Sequence, residues 1–146
     1  MAADITRRPP QSTLFKAFVY FLRIVAVLCL ASGLRYWALL SGVMGESLWR
    51  FDLMPGYWQV ASSALAVLLP VAAVGLWMPA SWGAVIWFVA AAGETAMYLG
   101  FPHLFGEKPI ISIMHLTVAV IYLGFRLALY REKRLSRRPV SVDSPY

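Results

Sequence analysis

Apolar residues run along this chain in four long blocks, from about Leu14 to Leu40, Tyr57 to Met78, Trp82 to Gly100 and Ile110 to Tyr130. A helix needs about 20 apolar residues to cross the hydrocarbon core of a bilayer, so each block predicts one membrane-spanning helix. The breaks between blocks are short. Ser41–Met54 (SGVMGESLWRFDLM) interleaves Glu46, Arg50 and Asp52 with Trp49 and Phe51, the pattern of a loop lying at headgroup level. Met78–Trp82 (MPASW) is a tight turn, which makes the second and third spans antiparallel neighbours. Phe101–Pro109 (FPHLFGEKP) is a second loop, and Pro70 inside the second span predicts a kink because proline lacks a backbone donor. The predicted fold class is all-α: an integral membrane four-helix bundle over residues 14–130, with a disordered tail at 1–13 and a basic tail at 131–146.

Within the blocks, the helical period sorts polar and small residues onto single faces. Ser112, His115, Ala119, Tyr122 and Arg126 recur at three- and four-residue intervals in the fourth span. In the second span Gln59, Ser62, Ser63, Ala66, Pro70 and Ala73 share a small, weakly polar face, and the third is small all round from Ala90 to Ala96. Small residues let helices approach closely in lipid and polar ones bond across the seam, so these faces are expected to point inward.

Composition agrees with a lipid solvent. Of 146 residues, 60% are hydrophobic and 14% charged, with a mean hydropathy of +0.67; a soluble domain carries about a quarter charged residues. The first block has a basic start but is too long for the apolar region of a signal peptide, and reads as an anchor. The net charge of +6 sits mainly in the tails. By the positive-inside rule both termini are then cytoplasmic, in a multi-pass protein of a bacterial inner membrane. Arg23, Arg126, Arg131, Lys133 and Arg134 are expected to contact anionic lipid headgroups. Basic tails without a base-reading module do not indicate nucleic acid. A single cysteine, Cys29, rules out an internal disulfide and reads as a buried structural thiol.

The candidate chemistry is one layer of titratable groups. At about 1.5 Å per residue, Arg35 lies about 7 Å below the outer end of the first span, and Glu94 and His115 about 9 Å below the outer ends of theirs. Gln59 sits slightly nearer the surface. An ionisable group inside a span is costly, and Glu94 is the acidic one in the third block. Two readings follow: a polar pocket open to the outside, with Arg35 and Glu94 as an ion pair beside His115, or a sealed Arg–Glu pair that only fixes helix register. His115 lacks a facing histidine for haem, since His103 lies in a loop, and His103 with Glu107 is a weak metal signal. No cofactor or metal is implied, and no phosphate loop, zinc-protease helix or nucleophile elbow occurs. Five tryptophans, Trp37 among them, fall near span ends as interfacial anchors; Trp87 lies deeper.

The stretches LRIVAVLCLASGLRYWALL, RFDLMPGYWQVASSALAVLLPVAAVGLW, SWGAVIWFVAAAGETAMYLGFPHLFGE and HLTVAVIYLGFRLALY resemble a family of small four-span inner-membrane proteins of unknown function from alphaproteobacteria. The resemblance implies a bacterial inner-membrane location and carries over no activity. Size and span number also look like DoxX-type membrane proteins, in architecture and not in motif. Small multidrug exporters share the size, but their essential glutamate is in the first span, whereas Glu94 is in the third. The leading expectation is a non-catalytic membrane subunit that packs against a larger membrane partner or itself. The alternative is a small transporter or ligand-binding module with an outward-facing pocket around Arg35, Glu94 and His115. A quinone-binding oxidoreductase would have only the Trp- and Tyr-rich outer rim in its favour.

Overall fold

The computed structural model describes residues 12–43, 51 and 54–136. The expected tail at 1–13, apart from its last two residues, the charged part of the first loop (44–50 and 52–53) and the last ten residues lie outside the described residues. The chain forms α1 (Thr13–Ser41), α2 (Gly56–Trp77), α3 (Ser81–Thr95), the short α4 (Pro102–Phe105) and α5 (Pro109–Leu135), with no strand among the described residues. After α3 the helix continues as one π-helical turn, Ala96–Gly100. Four helices are long and apolar enough to cross a membrane, α3 counting through Gly100. The chain is an all-α protein of membrane type.

Helix α5 runs beyond the end of the apolar block at Tyr130, because Arg131–Leu135 (REKRL) are good helix formers. Lys133 and Arg134 in its last turn also suit the negative end of the helix dipole. The start of α1 is capped by Ser12, whose side-chain oxygen accepts the Phe15 N–H at 3.2 Å. The same hydroxyl donates to Glu132 Oε2 at 3.0 Å, so α1 begins where α5 ends. The start of α1 and the end of α5 therefore lie side by side.

The α1–α2 seam is built around Pro70. Proline has no N–H, so the Ala66 carbonyl one turn back loses its helical donor. The Trp37 indole N–H on α1 donates to that carbonyl at 2.9 Å. Opposite the proline ring stands Gly33, where an added Cβ would come within 2.7 Å of Pro70 Cγ and Cδ. Trp37, expected as an interfacial anchor, thus has a second duty: it satisfies the carbonyl that the proline orphans.

The α2–α3 seam is closer still. A Cβ on Gly83 would stand 2.3 Å from the Gly75 carbonyl carbon, and one on Gly75 would stand 2.5 Å from Gly83 Cα. Backbone meets backbone there, which only glycine permits. The connecting turn is closed by the Ala80 N–H bonding to Gly75 O at 2.9 Å. At the other end of α2, Phe105 of α4 stacks edge-on against Tyr57 and Trp58, with ring centroids 5.3 and 5.0 Å away.

Helix α5 is held more lightly. Near its second half, Phe18 and Phe21 of α1 meet Phe125 at ring-centroid distances of 5.7 and 5.5 Å, and Phe18 also meets Tyr122. Its apolar window is 11% buried inside the molecule, against 44% for those of α2 and α3. Three helices form the packed body of the bundle, and the fourth leans on it.

Candidate functional site

Glu94 is 5% exposed and sits in the last turn of α3, just before the π-helical turn. That turn is closed by the Phe101 N–H reaching back five residues to Ala96 O at 3.2 Å. An inserted π turn shifts the side-chain phase of a helix and is a frequent mark of functional sites. Here Met97 and Tyr98 both turn inward and are buried.

Both carboxyl oxygens of Glu94 are engaged. The Tyr36 O–H of α1 donates to Oε1 at 2.6 Å, and His115 Nε2 of α5 lies 2.7 Å from Oε2. Tyr98 is close enough to Tyr36 for their hydroxyls to interact. Two other helices thus reach the Glu94 carboxyl group, each with one polar side chain. The Glu94–His115 contact works with the proton on either side: the imidazole N–H can donate to a carboxylate, or the carboxylic acid can donate to the imidazole. Tyr36 supports the carboxylate in the first arrangement and remains a donor to Oε1 in the second. The cluster can therefore hold or pass one proton without losing a hydrogen bond.

The expected layer is present for Glu94 and His115 but not for Arg35. Arg35 is exposed and makes no ion pair with Glu94 among the described residues. One residue of helix is a 100° rotation, and it is Tyr36, 5% exposed, that occupies the inward face with Cys29 and Gly33. Expelling the arginine and admitting the phenol spares the bundle the desolvation of a guanidinium charge. The sequence reading missed Tyr36, although its spacing from Cys29 and Gly33 was a usable signal. Gln59 is also not in the cluster. Its amide donates to Phe51 O at 2.8 Å and Met54 O at 3.0 Å, tying down the loop that enters α2.

Arg23, Arg126, Arg131, Lys133 and Arg134 are all exposed. Arg23 lies over the Trp77 ring at 5.4 Å and Arg134 over Tyr130 at 5.0 Å, leaving their long side chains along the surface. Cys29 is buried. His103 and Glu107 are exposed, and no group of three metal-ligating side chains occurs among the described residues.

Two spaces adjoin the cluster, and they differ in kind. Cys29, Ser32, Glu94 and His115 border, with the exposed Leu28 and Met114, a small space of about 20 Å³, room for a single water. On another side of His115, residues of α3, the π-helical turn and α5 line a groove of about 690 Å³. Its inner wall includes Trp87, Ala91, Ser112 and His115, all buried. Its rim includes Leu99, Ile113 and Leu116, each more than half exposed on a lipid-facing surface. The Ser112 hydroxyl is buried and has no hydrogen-bond partner among the described residues. Glu94 is buried, and His115 borders both spaces.

No curated protein and no solved structure matches the chain. A family model described as a family of unknown function, DUF6163, matches residues 16–133, most of the length, and the chain belongs to that family.

Proposed function

We propose that this membrane protein is a small ligand-binding module that takes up its ligand from the bilayer into the groove between α3 and α5. The observation that carries this reading is the pairing of the groove with His115, which borders it while bonded to the buried Glu94. Ser112 also lines the groove, with its hydroxyl oxygen buried beneath the wall. His115 lines the same groove while bonded to Glu94, so a ligand there touches the proton-holding cluster directly. The size of the groove suits a small molecule, since ligand pockets run from about 300 to 1,000 Å³. This replaces the outward-facing pocket around Arg35 with one that opens sideways to lipid. The basic flanks support a bacterial inner membrane with both termini in the cytoplasm.

The test is a thermal melt of the detergent-solubilised chain with fractionated lipid extract from its host membrane. A ligand at about 100 times its Kd stabilises by about 2.7 kcal/mol. One fraction is expected to raise the melting temperature of the wild type and not of Ser112→Leu, which fills the groove. If no fraction does so, or both proteins shift alike, the reading fails.

A second reading, a non-catalytic subunit that packs against a larger membrane partner or another copy, draws on α5, whose window is 11% buried. Gentle extraction and affinity purification separate the two. A stoichiometric protein partner contacting α5 favours the subunit, and a clean monomer counts against it.

A further inference from the structure

We infer that a slot between α1 and α2 binds one anionic phospholipid, with an acyl chain lying in the slot and the phosphate held by Arg23 at its Trp77 end. The site is separate from the groove between α3 and α5 and stands whatever occupies that groove. The slot has a volume of about 340 Å³. Its floor includes Ala26 of α1 and Ala73 of α2, both buried, whose small side chains leave the space. Its rim includes Val27, Leu30 and Trp77, each about half exposed on the lipid-facing surface. No charged residue lines it. A hydrocarbon chain suits such a wall, because it brings in no polar group that would go unpaired.

Charge commits the slot to one occupant. The Arg23 guanidinium lies 5.4 Å from the centre of the Trp77 ring on the rim, and no carboxylate pairs with it among the described residues. Arg23 also belongs to a stripe on α1: Lys16, Tyr20, Arg23, Val27 and Leu30 recur at intervals of four and three, and all are exposed. Along that face the basic residues come first and the apolar rim of the slot follows, the order of head and chain in a phospholipid. Lys16 lies about 10 Å before Arg23 by helical rise, toward the end of the bundle where Ser12 bonds to Glu132. Basic pockets between spanning helices hold anionic headgroups in this way. A cationic head would be repelled, and a neutral or zwitterionic one would leave the guanidinium without a net counter-charge. A fatty acid offers one carboxylate, which a low dielectric pushes toward its neutral form, whereas a phosphodiester keeps its charge.

The test uses the full chain, delipidated in detergent and titrated separately with dioleoyl phosphatidylglycerol, dioleoyl phosphatidylcholine and oleate. Bound lipid is counted by native mass spectrometry. Saturable one-to-one binding of phosphatidylglycerol, tighter than that of phosphatidylcholine, is the expected result. Arg23→Gln should weaken it about 5- to 10-fold, and Arg23→Lys, which keeps the charge, should recover part of that loss. Val27→Trp fills the slot from an exposed position and should abolish binding; Leu30→Trp does the same from farther along the rim, should the first variant not fold. Arg126→Gln removes an equal charge from α5 and should leave binding unchanged. Binding that never saturates, an equal loss in Arg126→Gln, or no loss in Arg23→Gln or in the slot-filling variant overturns the inference. Oleate binding in place of phosphatidylglycerol, with the same sensitivity to the slot-filling variant, also overturns it and makes the occupant a fatty acid.

Discussion

The two faces of α3 meet their neighbours in opposite ways. Toward α2 the contact is steric: Gly75 and Gly83 bring the backbones so close that a single added carbon would sit 2.3 Å from a main-chain atom. Toward α5 the contact is chemical: a groove of about 690 Å³ lies between the helices, and Glu94 reaches across to His115. The first seam is the kind that fixes a bundle in lipid, where close packing has to replace the hydrophobic effect between helices. At the second, a polar bond does the holding, and space is left beside it. A seam held by shape cannot admit a ligand; a seam held by a hydrogen bond can.

The sharpest way to break this contrast is at the steric seam. Gly83→Ala should cost about 3 kcal/mol, since the new atom meets the Gly75 and Leu76 backbones and neither can yield. A chemical-denaturation melt in detergent measures it. Gly93→Ala, ten residues on in the same helix, is its control. Nothing lies within 4 Å of a Cβ there, so the change should stabilise by about 0.5–1 kcal/mol through helix propensity alone.

Next comes the cluster. His115→Ala leaves one Glu94 oxygen buried without its partner and should destabilise by about 1–3 kcal/mol. Site-specific crosslinking between α3 and α5 should rise in heterogeneity, whereas the α2–α3 turn should stay as it is. Unchanged crosslinking at α5 would show that the polar bond is not what holds it.

The smaller effects sharpen the seams further. Trp37→Phe removes the donor to the Ala66 carbonyl and should cost about 1 kcal/mol. Combined with Pro70→Ala, which gives that carbonyl a helical donor again, the Trp37 cost should largely disappear, and a four-point melting cycle reads this directly. Ser112→Ala should stabilise the unliganded protein by about 1 kcal/mol, because it removes a buried hydroxyl that has no partner among the described residues.

Much of the fold was legible in the apolar blocks, because a helix in lipid must satisfy its own backbone and so follows the length of the apolar run. Pro70 also announced a disturbance in α2, but its partner did not announce itself. Nothing local to Trp37 or Gly33 says that they meet a proline on another helix. The site was legible in part. Depth along the helices placed Glu94 and His115 in one layer, and they do touch. Rotation about the axis is a separate coordinate, and the attraction of opposite charges favoured Arg35 over Tyr36 one step around α1. The groove was not legible at all. It lies between α3 and α5, and its walls come from residues on two helices whose relative placement no local pattern states.

The central claim is that Glu94 is bound to His115 and not to Arg35. The direct measurement is a pair of double-mutant cycles on unfolding free energy, one joining Glu94→Gln with His115→Ala and the other joining Glu94→Gln with Arg35→Ala. The predicted result is a coupling of about 1 kcal/mol or more for Glu94 and His115, and one within about 0.5 kcal/mol of zero for Glu94 and Arg35. The reverse order, with Arg35 strongly coupled and His115 additive, would contradict the account.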